Sequence, residues 1–205
     1  MTVHRRLATT LLATAAALLA LLPAGAVQAQ SLSLANVHGT SLACLFSPSC
    51  SIVVHDTSAP VVLPGTTGSG FLQSRTADPA PAGTAAAGLI PYMWRLDLTG
   101  LSGLRSPCVR RVAIVTGDIA PLNYDLDRVL EDVFVVTAGG IGTEGPTSAS
   151  LAPWLTWELG TPGLCAGESS FFFGLASAAA PRVTRAYLEL TNNTLLQVEV
   201  RAPAP

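Results

Sequence analysis

The stretch 183–201, VTRAYLELTNNTLLQVEVR, decides the fold class. Two runs, 183–190 and 194–201, alternate β-branched, aromatic and aliphatic residues with polar ones, and Asn192 and Asn193 stand between them. Asparagine tolerates the positive φ that tight hairpin turns demand, so the pair reads as an antiparallel hairpin. Period-two alternation assigns Val183, Arg185, Tyr187 and Glu189 to one face and Thr184, Ala186, Leu188 and Leu190 to the other. The second, more apolar face is expected to meet the core.

Working outward, the same signals recur at 51–55 (SIVVH), 70–73 (GFLQ), 92–98 (YMWRLDL), 109–115 (VRRVAIV), 133–137 (VFVVT), 154–158 (WLTWE) and 170–176 (SFFFGLA). Each run is short and bounded by Gly, Pro, Ser or Asp, as strands are. No segment of ten or more residues carries a helical stripe. Short strands without intervening helices argue for an all-β chain, an antiparallel β-sandwich of about eight to nine strands, immunoglobulin-like or jelly-roll-like. Within 171–173, Phe172 opposes Phe171 and Phe173, so that strand is expected to be covered on both faces or to expose a patch. The stretch 76–88 (TADPAPAGTAAAG) reads as a flexible surface loop inside a single domain, 30–205.

The N-terminus reads as an export signal over 1–29. His4, Arg5 and Arg6 precede an apolar run at 7–22, Pro23 breaks it, and Val27, Gln28 and Ala29 offer a cleavage site before Gln30. The apolar run is shorter than the roughly 20 residues needed to span a bilayer. The chain ends Arg201, Ala202, Pro203, Ala204, Pro205, without an apolar tail, so the mature chain is expected to be free of a membrane anchor and secreted or periplasmic. Removal of the signal leaves nine arginines against thirteen acidic residues, a formal charge of −4. An acidic chain is not expected to bind nucleic acid. Lysine is absent, which points to GC-rich bacterial coding rather than to a binding chemistry.

Four cysteines in an exported chain allow three pairings. Cys44 and Cys50 flank a Ser-Pro turn and are expected to pair locally, leaving Cys108 to bond Cys165. The spacings contain no C-x-x-C, which argues against a thiolate metal site or a redox pair.

Three sets of residues are candidates for chemistry. In 123–132 (NYDLDRVLED), Asn123, Asp125, Asp127 and Glu131 fall at relative positions 1, 3, 5 and 9, the spacing that wraps oxygen ligands around Ca²⁺. The segment resembles the D-x-D-x-D-G-x-x-D loops of secreted calcium-binding modules over about ten residues. Arg128 stands where such loops place Gly, and Glu131 replaces an Asp, with Asp132 a substitute ligand. The plain alternative is a solvated acidic turn between strands. Trp154 and Trp157 lie three apart and point to opposite faces of a strand, so one is expected at the surface, where it would stack on a sugar or a partner. Alternatively Trp154, following Pro153, shields a sheet end. For catalysis, His55 with Asp56, His38, and the carboxylates Asp97, Asp118, Glu144, Glu158 and Glu168 supply groups but no spacing, and no G-x-S-x-G elbow occurs.

In general texture the mature chain resembles the secreted β-sandwich proteins of Gram-negative bacteria, a likeness that implies no activity. The expected function is an exported, non-catalytic β-sandwich, a binding or structural module for an envelope or extracellular partner, with one Ca²⁺. The alternative is a secreted hydrolase acting on carbohydrate or ester.

Overall fold

The computed structural model describes residues 28–103 and 105–205. The expected export signal therefore lies outside the described residues, apart from Gln28 and Ala29. In chain order the elements are β1 (Gln30–Leu32), β2 (Leu34–His38), α1 (Gly39–Phe46), β3 (Val54–Val61), β4 (Thr67–Gly68), β5 (Gly70–Ala77), β6 (Ile90–Asp97), β7 (Leu101–Ser102), β8 (Val109–Ile114), β9 (Val133–Ala138), β10 (Ser148–Leu151), β11 (Leu155–Glu158), β12 (Phe173–Ser177), β13 (Pro181–Leu190) and β14 (Leu195–Pro203).

The hairpin at the C-terminus is β13 and β14, paired from Pro181–Pro203 to Glu189–Leu195. Asn193 takes the positive φ of the turn, at 65°, and its N–H donates to Leu190 O. Ala186, Leu188 and Leu190 are fully buried, as alternation requires. This hairpin ends an antiparallel sheet ordered β1-β10-β11-β8-β13-β14. A second sheet is ordered β2-β9-β12-β6-β5-β3 and is antiparallel except at β2, which runs parallel to β9. Among the described residues the chain is all-β with one short helix, and the wholly antiparallel arrangement expected is corrected by that one pair. Parallel pairing needs a long crossover, and here the whole chain between His38 and Val133 provides it.

Side chains from the two six-stranded sheets build one core. Val112, Ile114, Leu155, Trp157 and Leu188 come from the first, and Tyr92, Trp94, Leu96, Val135, Phe173 and Leu175 from the second. Phe173 ties them together, its ring 4.9 Å from Trp157 and 6.4 Å from Trp94. Trp94 Nε1 donates to Arg201 O at 3.0 Å and Tyr92 Oη to Ala179 O at 2.6 Å, while Trp157 Nε1 is buried without a hydrogen-bond partner.

The two outer faces differ. On the second sheet, Ala35, Val37, Met93, Phe134, Val136, Phe172 and Ala176 form a further buried cluster with Leu42, Leu45 and Phe46 of α1, with Ala80 and Ala86, and with Leu122 and Tyr124. Phe173, the first residue of β12, and Phe172, just before it, thus bury on opposite faces of the sheet, each burial contributing about 1.5–3 kcal/mol. The loop expected at 76–88 begins later, since Thr76 and Ala77 still belong to β5. From Ala80 onward it packs over the sheet, held by backbone bonds between Ala80 and Leu89, Gly88 and Ala80, and Ala86 and Leu45. α1 has eight residues, is capped by His38 Nδ1 accepting from Thr40 N–H at 3.3 Å, and is tied to the following turn by Cys44–Cys50. The second disulfide, Cys108–Cys165, joins the start of β8 to the connection between β11 and β12. Both pairings match those read from the sequence. Among the described residues no helix is long and apolar enough to cross a membrane.

Candidate functional site

Among the described residues, the outer face of the first sheet carries no such cover. Its registers align one row of side chains across all six strands: Ser31, Ser150, Thr156, Ala113, Tyr187 and Gln197. The neighbouring row runs Ser148, Glu158, Arg111, Glu189 and Leu195. These are the outward residues of the same alternation that buries Trp157 and Leu188.

Trp154 stands just before β11, 39 % exposed, and stacks on Tyr187 with ring centroids 4.9 Å apart and planes 14° from parallel. The stacked pair forms a ridge with a hollow on either side. One, of about 370 Å³, is lined by Arg111, Ala113, Ser150, Trp154, Thr156 and Glu158 together with Tyr187, Glu189 and Leu195. The other, of about 450 Å³, lies against Val183, Arg185 and Glu199. Trp157, by contrast, is wholly buried in the core, so of the two tryptophans offered as surface candidates Trp154 is the exposed one and Trp157 is withdrawn. Three residues of spacing in extended chain send it inward when Trp154 points out.

Ion pairs hold the second row. Arg111 Nε donates to Glu158 and its Nη1 to Glu189 Oε2 at 2.8 Å, while Arg110 donates to the other oxygen of Glu189 and to Asn193 Oδ1. Hydrogen bonds from Arg110, then Arg111, hold the Glu189 carboxyl below its ordinary range, and the bond to Glu158 raises Arg111. Two guanidiniums against two carboxylates leave the row electrically balanced.

The acidic turn 123–132 is the second candidate. Its neck is closed by Leu122 and Glu131, whose backbones exchange both N–H···O bonds at 3.0 Å. Carboxylate oxygens of Asp125, Asp127 and Glu131 lie within 4.8 Å of one another. Asp125 Oδ1 accepts from Asp127 N–H and Asp127 Oδ1 from Val129 N–H, so the turn curls around its own carboxylates. Arg128 takes φ 79°, the left-handed conformation that glycine ordinarily supplies at that position. Glu131 is buried, accepts from Tyr124 N–H at 3.0 Å, and is pushed upward in pKa chiefly by burial, with Asp125 and Asp127 adding repulsion. Asn123 Oδ1 is shielded from solvent without a hydrogen-bond partner. Asp132 is engaged elsewhere: its Oδ2 accepts from Ser33 N–H and Oγ, both at 2.8 Å, clamping the start of β9 to β2.

The residues gathered for catalysis lie apart. His55 sits on the exposed strand β3 with Nε2 3.4 Å from Asp78 Oδ1, Asp56 is bound by Arg75 and Gln73, and His38 caps α1. Asp97 pairs with Arg95 and caps Thr99, while Glu168 accepts from Cys165 N–H. A further depression of about 520 Å³ between α1 and Met93, Val136 and Phe172 has Arg75 as its one charged lining residue. That guanidinium is already committed to Asp56 and to the Phe172 ring, 4.6 Å away. The open face thus offers the richer set of directional groups. Comparison with known proteins returns no matching family model, no matching curated protein and no matching solved structure.

Proposed function

We propose that the chain is an exported, non-catalytic β-sandwich that works as a binding module, its working surface being the open outer face of the first sheet. The single observation that carries this reading is the asymmetry of the two outer faces. One is sealed by α1, the 80–89 stretch and Tyr124, while the other presents an exposed Trp154 stacked on Tyr187 between two hollows. The common core shared by both six-stranded sheets supports the sandwich architecture, and the two disulfides support an oxidising compartment, periplasmic or extracellular.

The same reading gives the acidic turn one Ca²⁺. Asp125, Asp127 and Glu131 would supply hard oxygen ligands with Asn123 Oδ1, and the ion would offset the repulsion among the carboxylates. It would brace the turn and supply no catalytic chemistry.

The test uses intrinsic fluorescence. Trp94 and Trp157 are fully buried, so acrylamide should quench Trp154 alone. Adding bacterial envelope extract to the mature chain should protect Trp154 from quenching, and Trp154→Ala should abolish retention of the chain on that extract. Unprotected Trp154, with equal retention of the variant, would refute the open face as the binding surface.

A further inference from the structure

We infer that the hollow over Ala113 seats one ring of a neutral oligosaccharide that runs along the first row of the open face; this rests on the reading of that face as the binding surface.

The floor comes first. Ala113 lies between Thr156 and Tyr187 in the row, and its single methyl group is what leaves the space empty. The wall is aromatic. Stacking on Tyr187 fixes the Trp154 plane, so a flat π surface faces the hollow without first having to be ordered. The negative face of such a ring attracts the C–H groups that line one side of a sugar.

The rim is an ion-paired alternation of acceptor, donor and acceptor: Glu158, Arg111 and Glu189. Carboxylates accept from pairs of neighbouring hydroxyls and a guanidinium donates to them, in the fork geometry that suits vicinal oxygens. The balance of charge selects for neutrality. An anionic ligand would meet the carboxylates of Glu158 and Glu189 and a cationic one the Arg111 guanidinium, with Arg110 bonded to Glu189 beside the rim, whereas a polyol exchanges hydrogen bonds with both signs.

The row also sets the length of the ligand. Six strands spaced about 4.8 Å apart span about 24 Å, with hydroxyls at Ser31, Ser150, Thr156 and Tyr187 and an amide at Gln197. A track of that length fits several linked sugars rather than one.

Isothermal titration of the mature chain with cellohexaose, xylohexaose, maltohexaose and chitohexaose, and with an oligogalacturonate hexamer as the anionic arm, tests the inference. At least one neutral hexamer should bind saturably and protect Trp154 from acrylamide. Ala113→Leu, which fills the hollow, should weaken that binding at least tenfold, and Ala113→Ser, which leaves it open, should not. An unchanged melting midpoint in both variants separates blockage from misfolding. Absence of binding by every neutral hexamer, binding of the anionic hexamer alone, or equal affinity in Ala113→Leu would each overturn the inference. If envelope extract still protects Trp154 while no hexamer binds, the saccharide falls and the open-face reading stands. If neither occurs, both fall.

Discussion

Trp154 lies on Tyr187, 33 residues away in sequence but flat against it in space, with centroids 4.9 Å apart. The two rings cover one another outside the core. Their coupling should therefore be local. A double-mutant cycle with Trp154→Ala and Tyr187→Ala, followed by urea unfolding, should return about 0.5–1.5 kcal/mol of interaction. A coupling of zero would mean that the rings do not hold each other in solution.

Loop length ranks the two disulfides. Cys108–Cys165 closes a separation of 57 residues and Cys44–Cys50 one of 6, so the chain-entropy relation gives about 4 kcal/mol for the first and about 2 for the second. Paired Cys→Ala variants of each should show this order in urea midpoints. A larger loss from the short loop would place the stabilisation in the packing of α1 instead.

Two glutamates respond to pH with opposite signs. Burial raises Glu131 above the ordinary 4.5, so its favourable contribution is present below that value and is lost as pH rises through the raised one. Hydrogen bonds from Arg110 lower Glu189, so its contribution is present above 4.5 and is lost as pH falls through the lowered one. At neutral pH in EDTA, Glu131→Gln should melt higher than the parent, since glutamine still accepts from Tyr124 N–H, while Glu189→Gln should melt lower.

Calcium acts on the first of these. Excess Ca²⁺ should raise the midpoint of the parent protein relative to EDTA, and Asp125→Asn with Asp127→Asn should remove that response. An identical midpoint in EDTA and Ca²⁺ would leave the 123–132 segment as a solvated acidic turn.

Gly174 is fixed by proximity. It sits in β12 opposite Met93, and a Cβ there would lie 2.0 Å from Tyr92 O and 2.9 Å from Phe134 Cζ. The backbone oxygen cannot yield without parting β12 from β6. Gly174→Ala should therefore lower stability by at least about 3 kcal/mol in urea unfolding; a loss under about 1 kcal/mol would show that the strands can slide apart there.

What could be read from the sequence divides along physical lines. Eight of the nine strands anticipated from β-branched and aromatic runs occur with shifted ends, the ninth, at 51–55, overlaps β3 only at Val54 and His55, and the alternation in 183–190 separates buried Leu188 from outward Tyr187 as drawn. β1, β2 and β10 escape notice because QSL, LANVH and SASL carry few β-branched residues and owe their extension to neighbouring strands. α1 escapes because eight residues span too few turns to display a stripe, and its cap is a histidine. At the open face, one of the two tryptophans was legible as exposed. The rest of that site was not, because Ala113, Ser150 and Tyr187 become neighbours only through strand register. The acidic turn was legible through spacing, although the left-handed φ at Arg128 shows that glycine's conformation can be reached there without glycine.

The parallel seat of β2 beside β9 has a consequence for the order of assembly. A chain made from its N-terminus presents 34–38 long before 133–138 exists to receive it, and 30–32 must wait further for 148–151. Contacts of such sequence range make folding slow, since loop closure precedes any reward from pairing. Until the last hairpin arrives, the early strands expose unpaired edges that invite association with other chains. Cys44–Cys50, six residues apart, can close during that interval, whereas Cys108–Cys165 records that β8 and the segment before β12 have already met. The first bond is thus a local event and the second a long-range one, marking that β8 has met the chain that precedes β12.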